Sequence, residues 1–133
     1  MNRLQELRDF LKDTKDDWNY ITPISFYNDV YMKKDYVLVD LRDEASFKRM
    51  HVKGAKNIFW LNILDDANLK KLPKHKHIFL ICYVGHTSSQ VAPLLKLLGY
   101  TVTSIKFGYG LSPVKGVPVA GWLDYGLPTI RKC

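Results

Sequence analysis

The feature that most constrains the fold is a run of strand-forming residues that ends at a cysteine and leads into a helix. Residues 78–82 form the longest apolar run, Ile-Phe-Leu-Ile-Cys, which has the length of a buried strand and not that of a membrane helix. After a loop that contains a glycine, a helix is predicted with Val91, Leu94, Leu95 and Leu98 on one side. A strand followed by a loop and a helix is the unit that builds parallel sheets covered by helices.

Cys82 occupies the carboxyl end of this predicted strand. We expect Thr87 and Ser88 to cap the helix, so that its free N–H groups and the positive end of its dipole face the sulfur. A thiol in that position reacts as an anion, which makes Cys82 a candidate nucleophile. The loop alone leaves a second interpretation open, a structural cysteine at the end of a core strand, because free cysteine is often fully buried.

The rest of the chain alternates helices with strands. Leucines at helical spacing predict an amphipathic helix over roughly residues 2–16, and Ser25 is expected to cap a second helix. Further strands are predicted at 36–42, 55–59 and 101–107, and further short helices at 43–49, 61–72 and 122–125. This order predicts an α/β fold with a central parallel sheet and helices on both faces. We divide the chain into an N-terminal helical segment, 1–20, that packs on a domain of residues 21–133.

Composition excludes several classes of protein. A chain of 133 residues can form one core without disulfides, and the two cysteines, Cys82 and Cys133, lack the spacing of a disulfide framework or a zinc site. The first residues lack the apolar core of a signal peptide, so we expect a cytoplasmic protein. The formal charge of +7 favours anionic molecules or acidic partners. The lysines of residues 70–76 have no aromatics between them, so we expect a solvated patch and no nucleic-acid binding. No stretch approaches the roughly 18 uninterrupted apolar residues of a membrane helix, so we expect no membrane insertion.

Three segments carry a resemblance to the rhodanese family of sulfurtransferases, which extends over roughly residues 21–128. Residues 39–55 read Val-Asp-Leu-Arg-Asp-Glu-Ala-Ser-Phe-Lys-Arg-Met-His-Val-Lys-Gly-Ala, similar to the family pattern of Asp-x-Arg, Glu, Phe and His-x-x-Gly-Ala. Residues 82–87 read Cys-Tyr-Val-Gly-His-Thr and resemble the six-residue active-site loop, which opens with the catalytic cysteine and has glycine fourth. Residues 121–128 resemble the closing segment, which contains a tryptophan.

The resemblance implies that Cys82 carries sulfur as a persulfide, from a small anionic or persulfide donor to a thiol or cyanide-like acceptor. It also allows a sulfur-relay protein as partner, and it implies neither a metal nor an organic cofactor. Asp40 and Arg42 are expected to support the loop by hydrogen bonds, and His51 to join polar groups of the core. The resemblance implies a substrate-binding loop made of Tyr83, Val84, Gly85, His86, Thr87 and Ser88. Backbone N–H groups of such a loop can converge on an anion.

The loop departs from the pattern of family members that use thiosulfate well, which often carry Arg or Lys inside it. Tyr83 and Val84 hold its second and third positions, and His86 is its only residue that can become a cation. We therefore predict weak use of thiosulfate, and a gain when Tyr83 and Val84 become Arg and Lys. Ser88 stands where related phosphatases have a phosphate-binding Arg, which disfavours that activity. A rhodanese-like module that carries sulfur or docks a partner with little turnover remains an alternative.

Overall fold

A computed structural model describes residues 2–15, 19–111 and 120–131 of the chain. Its centre is a five-stranded sheet in the spatial order β1-β5-β4-β2-β3, in which every neighbouring pair is parallel. The strands are β1 (Tyr20–Ile21), β2 (Tyr36–Asp40), β3 (Lys56–Asn57), β4 (His77–Ile81) and β5 (Val102–Ile105). The predicted α/β class and the parallel sheet are confirmed.

The described residues also form five α-helices and three short 3₁₀ turns. The helices are α1 (Arg3–Asp13), α2 (Pro23–Asp29), α3 (Glu44–Arg49), α4 (Asp66–Leu69) and α5 (His86–Leu97), and the 3₁₀ turns are Tyr31–Lys33, Trp60–Asn62 and Trp122–Tyr125. The strand predicted at 55–59 is shortened to the two residues of β3. The helix predicted at 61–72 is wrong as one element, because Asn62 and Asp65 favour turns and caps over a helix interior.

The two faces of the sheet bury two separate apolar clusters. Alternate residues of a strand point to opposite faces, which explains the division. The cluster under α5 includes Val37, Val39, Ile78, Leu80, Cys82, Val91, Ala92 and Leu95. Leu94 and Leu98, predicted on the same side of this helix, are instead 46% and 47% exposed. The cluster under α2 and the last 3₁₀ turn includes Phe26, Leu38, Phe79, Ile81, Ile105, Tyr109 and Trp122. Helices therefore cover both faces, as predicted, and Cys82 lies on the side of α5.

The carboxyl ends of β2 and β4 form the topological switch point of the sheet, where the connections from two neighbouring strands run in opposite directions. From β2 the chain passes to β3 on one side, and from β4 it passes to β5 on the other. The two ends stay adjacent, since the Leu41 N–H donates to the Ile81 carbonyl at 2.9 Å. Open α/β sheets bind ligands in the crevice at such a point. Asp40 ends β2 and Cys82 follows β4, so the topology brings both predicted site regions to this crevice.

The cap predicted for the second helix is wrong. Pro23 occupies the first turn of α2, and the residue before it, Thr22, caps the helix. The Thr22 hydroxyl oxygen accepts the Ser25 N–H at 3.1 Å. Proline suits the first helical position because it lacks an N–H that would otherwise need a partner, so the cap must precede it. Ser25 therefore lies inside the first turn.

The N-terminal helix α1 lies on the outside, as its pattern predicts, and none of its residues is buried. Leu4, Leu7 and Leu11 are 55%, 44% and 72% exposed. Near its carboxyl end, Phe10 shares a small cavity with Tyr100, which follows α5. The division at residues 1–20 and 21–133 stays a prediction, although β1 already begins at Tyr20. Within the described residues, none of the helices is long and apolar enough to cross a membrane.

Candidate active site

The sulfur of Cys82 takes the place of a helix cap. Gly85 precedes α5 with a φ of +93°, in the left-handed region that favours glycine, and α5 begins at His86. The N–H groups of Gly85 and Ser88 point to the Cys82 Sγ at nitrogen–sulfur distances of 3.2 and 3.4 Å. A cap side chain normally accepts the N–H of the third helical residue, and Gly85 has no side chain to do so. Thr87 and Ser88 were expected to cap α5, and that expectation is wrong because both lie inside its first turn.

Polar groups surround the sulfur although Cys82 is only 1% exposed. Besides the two N–H groups, the Ser88 hydroxyl lies 3.4 Å from the Sγ and accepts its hydrogen when Cys82 is a thiol. Ser88 is itself fully buried. Cys82 also belongs to the apolar cluster under α5, but packing alone requires no polar partners, so the convergence of two N–H groups and a hydroxyl favours a chemical role.

One side of the loop is fastened to α3 through Tyr83. The Tyr83 hydroxyl donates to the Asp43 Oδ1 at 2.5 Å, while Asp43 caps α3 by accepting the Ser46 N–H at 3.0 Å. The hydrogen bonds from Tyr83 and Ser46 hold the pKa of Asp43 well below its ordinary value. Burial, followed by the hydrogen bond to Asp43, raises the pKa of Tyr83. The next residue, Val84, points into the protein and is 6% exposed.

The segment after β5 supports the loop from another direction. The Tyr109 N–H donates to the Cys82 carbonyl at 3.0 Å, and the Gly110 N–H donates to the Tyr83 carbonyl at 2.9 Å. Gly108 has a φ of +50°, and a Cβ there would lie 2.1 Å from the Cys82 carbonyl oxygen. Sequence analysis did not connect this stretch with Cys82. Its closely spaced glycines were the available signal, because glycine allows two backbones to approach each other.

Asp40 and Arg42 form a buried ion pair at the end of β2. The Arg42 Nε and Nη2 donate to the Asp40 Oδ1 and Oδ2 at 3.1 and 3.0 Å, and the two residues are 1% and 0% exposed. The Tyr109 hydroxyl donates to the Asp40 Oδ2 at 2.9 Å, and the Arg42 Cζ lies 3.9 Å from the centre of the Tyr109 ring. Burial lowers the pKa of Arg42, but the hydrogen bond to Asp40 and its charge outweigh burial and raise it. The pair thus reaches Cys82 through Tyr109, whose N–H holds the Cys82 carbonyl.

His51 connects backbone segments, in agreement with the expected structural role. Its Nδ1 lies 2.7 Å from the Phe47 carbonyl oxygen, and its ring stacks on that of Phe47 with centres 3.8 Å apart. Its backbone exchanges two hydrogen bonds with Ile130. His51 therefore joins α3 to the C-terminal part of the described chain.

A cavity of about 270 Å³ opens beside the loop. It is lined by Arg42, Ser46, Arg49, Met50, Tyr83 and Leu111. Arg49 is exposed, and its Nη2 donates to the Ser46 hydroxyl at 3.3 Å. Sequence reasoning missed Arg49 because it searched for cations only inside the loop. The spacing of three between Ser46 and Arg49 on a predicted helix was the signal that places both on one side.

The remaining two loop residues differ in their surroundings. His86 is exposed at the first position of α5. The Thr87 Oγ1 is a buried atom for which the described residues provide no hydrogen-bond partner. A buried hydroxyl without a partner costs free energy unless a ligand or water meets it.

The family model of the rhodanese-like domain matches residues 22–110, about two thirds of the chain. The chain belongs to this family. The rhodanese-like domain resembles a tRNA sulfurtransferase of Pyrobaculum aerophilum, with 39% identity over 70 residues, and the thiosulfate sulfurtransferase GlpE of Tolumonas auensis, with 34% over 73 residues. These matches cover 53% and 54% of this chain but 14% and 67% of the respective relatives. Both relatives are named as sulfurtransferases.

Solved structures show the same fold at low sequence identity. A rhodanese-related protein from Thermoplasma volcanium superposes with a TM-score of 0.67 at 20% identity, over 84% of this chain and 96% of that one. The BH2092 protein from Bacillus halodurans superposes with a TM-score of 0.68 at 19% identity, over 98% and 87%. The resemblance to the rhodanese family and its fold is therefore confirmed.

Proposed function

We propose that this rhodanese-like domain is a sulfurtransferase that carries a sulfane sulfur as a persulfide on Cys82. The observation that carries the proposal is the convergence of the Gly85 and Ser88 N–H groups on the Cys82 Sγ, at 3.2 and 3.4 Å, where α5 begins. Fixed N–H donors and the positive end of a helix dipole stabilise the negative charge that a thiolate carries before it attacks.

The reaction requires two displacements at sulfur. The Cys82 thiolate attacks the outer sulfur of the donor and forms an S–S bond, while the donor's own bond to that sulfur breaks and its electron pair leaves with the remainder, sulfite in the case of thiosulfate. A thiol or cyanide-like acceptor then attacks the outer sulfur of the persulfide. The S–S bond breaks, its electron pair returns to Cys82 as thiolate, and the acceptor leaves with the sulfur. Neither step needs a metal or an organic cofactor.

The cavity beside Tyr83 suits a small anionic donor. The charge of Arg42 is balanced by Asp40 at 3.0 Å. Arg49 donates to a neutral hydroxyl and, within the described part of the chain, forms no salt bridge. Its guanidinium is therefore the cation that we assign to the donor's anionic group. Since this cation is exposed and outside the loop, we keep the prediction that thiosulfate is used weakly.

The double replacement predicted to improve thiosulfate use does not suit this loop. A lysine in place of Val84 would put its charge where the present side chain is only 6% exposed. An arginine in place of Tyr83 would remove the hydrogen bond to Asp43. Burial of an unpaired charge is unfavourable, so the gain once expected from these cations is replaced by an expected loss of stability.

A second candidate function is that of a protected sulfur carrier with slow turnover, which docks a sulfur-relay protein. The 1% exposure of Cys82 favours it, because a persulfide that solvent reaches poorly is kept from small thiols. We also infer a reducing, cytoplasmic location, since a thiol that must cycle through a persulfide needs to stay reduced between turnovers.

The test is mass spectrometry of the intact protein after incubation with thiosulfate, mercaptopyruvate or a small persulfide. The proposal predicts one added sulfur atom on Cys82, which disappears when cyanide or a thiol is added. Absence of this mass with all three donors would contradict it. A steady-state assay then separates the two candidates, because a carrier releases its sulfur once and slowly, whereas a transferase turns over repeatedly.

A further inference from the structure

Ser104, in β5, contacts the hydroxyl of Ser88, which lies in the first turn of α5. The two Oγ atoms lie 2.6 Å apart, and both serines are fully buried. Ser104 pairs with Leu80 in the register of β4 and β5, and it faces α5 because it shares the side of Val102. The three groups Cys82 Sγ, Ser88 Oγ and Ser104 Oγ thus form a chain, with distances of 3.4 and 2.6 Å.

The number of hydrogens in this chain changes when Cys82 loses its proton. A serine hydroxyl has one hydrogen to donate and two lone pairs that accept. With a thiol, the S–H donates to the Ser88 Oγ, and the Ser88 hydrogen is directed to the Ser104 Oγ or to the Gly85 carbonyl at 3.2 Å. A thiolate can only accept, so the Ser88 hydroxyl can then turn to the sulfur. The Ser88 Oγ remains satisfied only if another donor replaces the S–H, and Ser104 is within distance.

We propose that Ser104 is a positioning residue that allows the Ser88 hydroxyl to reverse its direction when Cys82 becomes a thiolate. The S–H bond breaks, its electron pair stays on sulfur, and the proton passes to a solvent base. The Ser88 O–H then donates to the thiolate and the Ser104 O–H donates to the Ser88 Oγ, with no covalent change in either serine. The sulfur gains a third donor besides the N–H groups of Gly85 and Ser88. This role rests on the proposed function only in that the thiolate is the reacting form.

The readout is the pH dependence of alkylation of Cys82 by iodoacetamide, in a Cys133→Ser background so that only one thiol reacts. Ser104→Ala should move the midpoint of this profile upward by about half a unit or more, since a hydrogen bond to a charged group is lost. Ser104→Thr keeps a hydroxyl. Ser104→Val is its matched control, because valine has nearly the same shape as threonine but no hydroxyl. We expect Thr to stay near the wild-type midpoint and Val to shift as Ala does.

Other titratable groups lie near this part of the chain and are the same in all variants. They are His86 on α5, the Tyr83–Asp43 pair, the Asp40–Arg42 pair with Tyr109, and Lys106 after β5. Their contributions to the profile therefore cancel when two variants at position 104 are compared. Circular dichroism and thermal unfolding establish that each variant is folded.

Ser88→Ala provides the decisive background, because Ser104 is proposed to act only through the Ser88 hydroxyl. In that background, Ser104→Ala should produce no further shift of the midpoint. An additional shift there, equal midpoints for Thr and Val, or an unchanged midpoint for Ser104→Ala alone would each overturn the proposal. Alkylation does not require sulfur transfer, so a shifted midpoint in a protein that forms no persulfide would refute the proposed function and leave the role of Ser104 intact.

Discussion

The carboxyl ends of β2 and β4 lie side by side but handle charge in opposite ways. At the end of β2, Arg42 and Asp40 neutralise each other with side chains that are 1% and 0% exposed. At the end of β4, the Cys82 sulfur meets backbone N–H groups and a hydroxyl, all of them uncharged. The charges of a fixed ion pair already neutralise each other, so the pair can support the structure but not stabilise a further charge. Neutral donors can stabilise a negative charge that forms on the sulfur during a reaction. The difference is the basis on which we propose a supporting role for the first end and a chemical role for the second.

The largest effect expected from this comparison follows removal of the reactive group. Cys82→Ser should abolish sulfur transfer and the added sulfur mass, because a hydroxyl is close in size but neither ionises at neutral pH nor forms a persulfide. Thermal unfolding should be nearly unchanged. The measurement is mass spectrometry together with a cyanide-acceptor assay, and Cys133→Ser is the matched control that should retain both signals. Transfer that persists in Cys82→Ser would assign the sulfur to Cys133.

Removal of the ion pair at the end of β2 should lower the free energy of unfolding more than it changes sulfur transfer. Arg42→Met leaves Asp40 as a buried charge without its partner, which typically costs about 3–5 kcal/mol of unfolding free energy. Urea denaturation followed by circular dichroism measures this loss. Asp40→Leu combined with Arg42→Met removes both charges and should recover a large part of it. If Arg42→Met unfolds at the same urea concentration as the wild type, the pair is not the structural support that its burial indicates.

Much of the fold could be predicted because long apolar runs are local signals. The run before Cys82 and the α/β order rest on periodicity, which a short stretch of sequence reveals by itself. The capping rules failed twice, because an unexpected side chain accepts the free N–H groups. It is Thr22 at α2, and at α5 it is the Cys82 sulfur, which precedes the helix and is not one of the side chains that usually cap.

The candidate site was predicted less completely, because some of its residues are far from Cys82 in the sequence. Cys82 and its loop are contiguous, and the resemblance to a family identified them together with Asp40 and Arg42. Ser104 lies in β5 and Tyr109 in the segment after it. Only the order of the strands in the sheet brings these two residues near Cys82. A serine two residues after Val102, on the same side of the strand, was the one sequence signal for Ser104, and it does not reveal which group the hydroxyl meets.

A smaller effect is expected from Arg49, which lies outside both strand ends, if its guanidinium binds the anionic group of the sulfur donor. Arg49→Gln should lower kcat/KM for thiosulfate about three- to tenfold, as expected for loss of a partly exposed charge-assisted hydrogen bond. Stability should change little because Arg49 is exposed. Lys48→Gln is the matched control, since Lys48 is an exposed neighbour on α3 with the same charge, and its partner is Glu44. Equal losses in the two variants would show a general effect of positive charge and not a specific contact in the cavity.

The smallest expected effect concerns the hydrogen bond that links the two ends, from Tyr83 to Asp43. Tyr83→Phe should lower the free energy of unfolding by about 0.5–1.5 kcal/mol at neutral pH. The pKa of Asp43 is depressed in the folded protein, so its contribution is full above the ordinary value of 3.8 and is lost as pH falls below it. The pKa of Tyr83 is raised, so its contribution is present below the ordinary value of 10.0 and is lost as pH rises above it.

The difference between wild type and Tyr83→Phe should therefore be greatest between these two pH values and should shrink on either side. Urea denaturation across this pH range measures it, and Tyr125→Phe, at a residue that is 49% exposed, controls for loss of a phenol as such. A difference that does not vary with pH would mean that Tyr83 contributes packing alone. Since Tyr83 follows Cys82 directly, the same variant should also loosen the loop, and a modest fall in kcat at neutral pH would show that the supporting end of the crevice holds the reactive end in place.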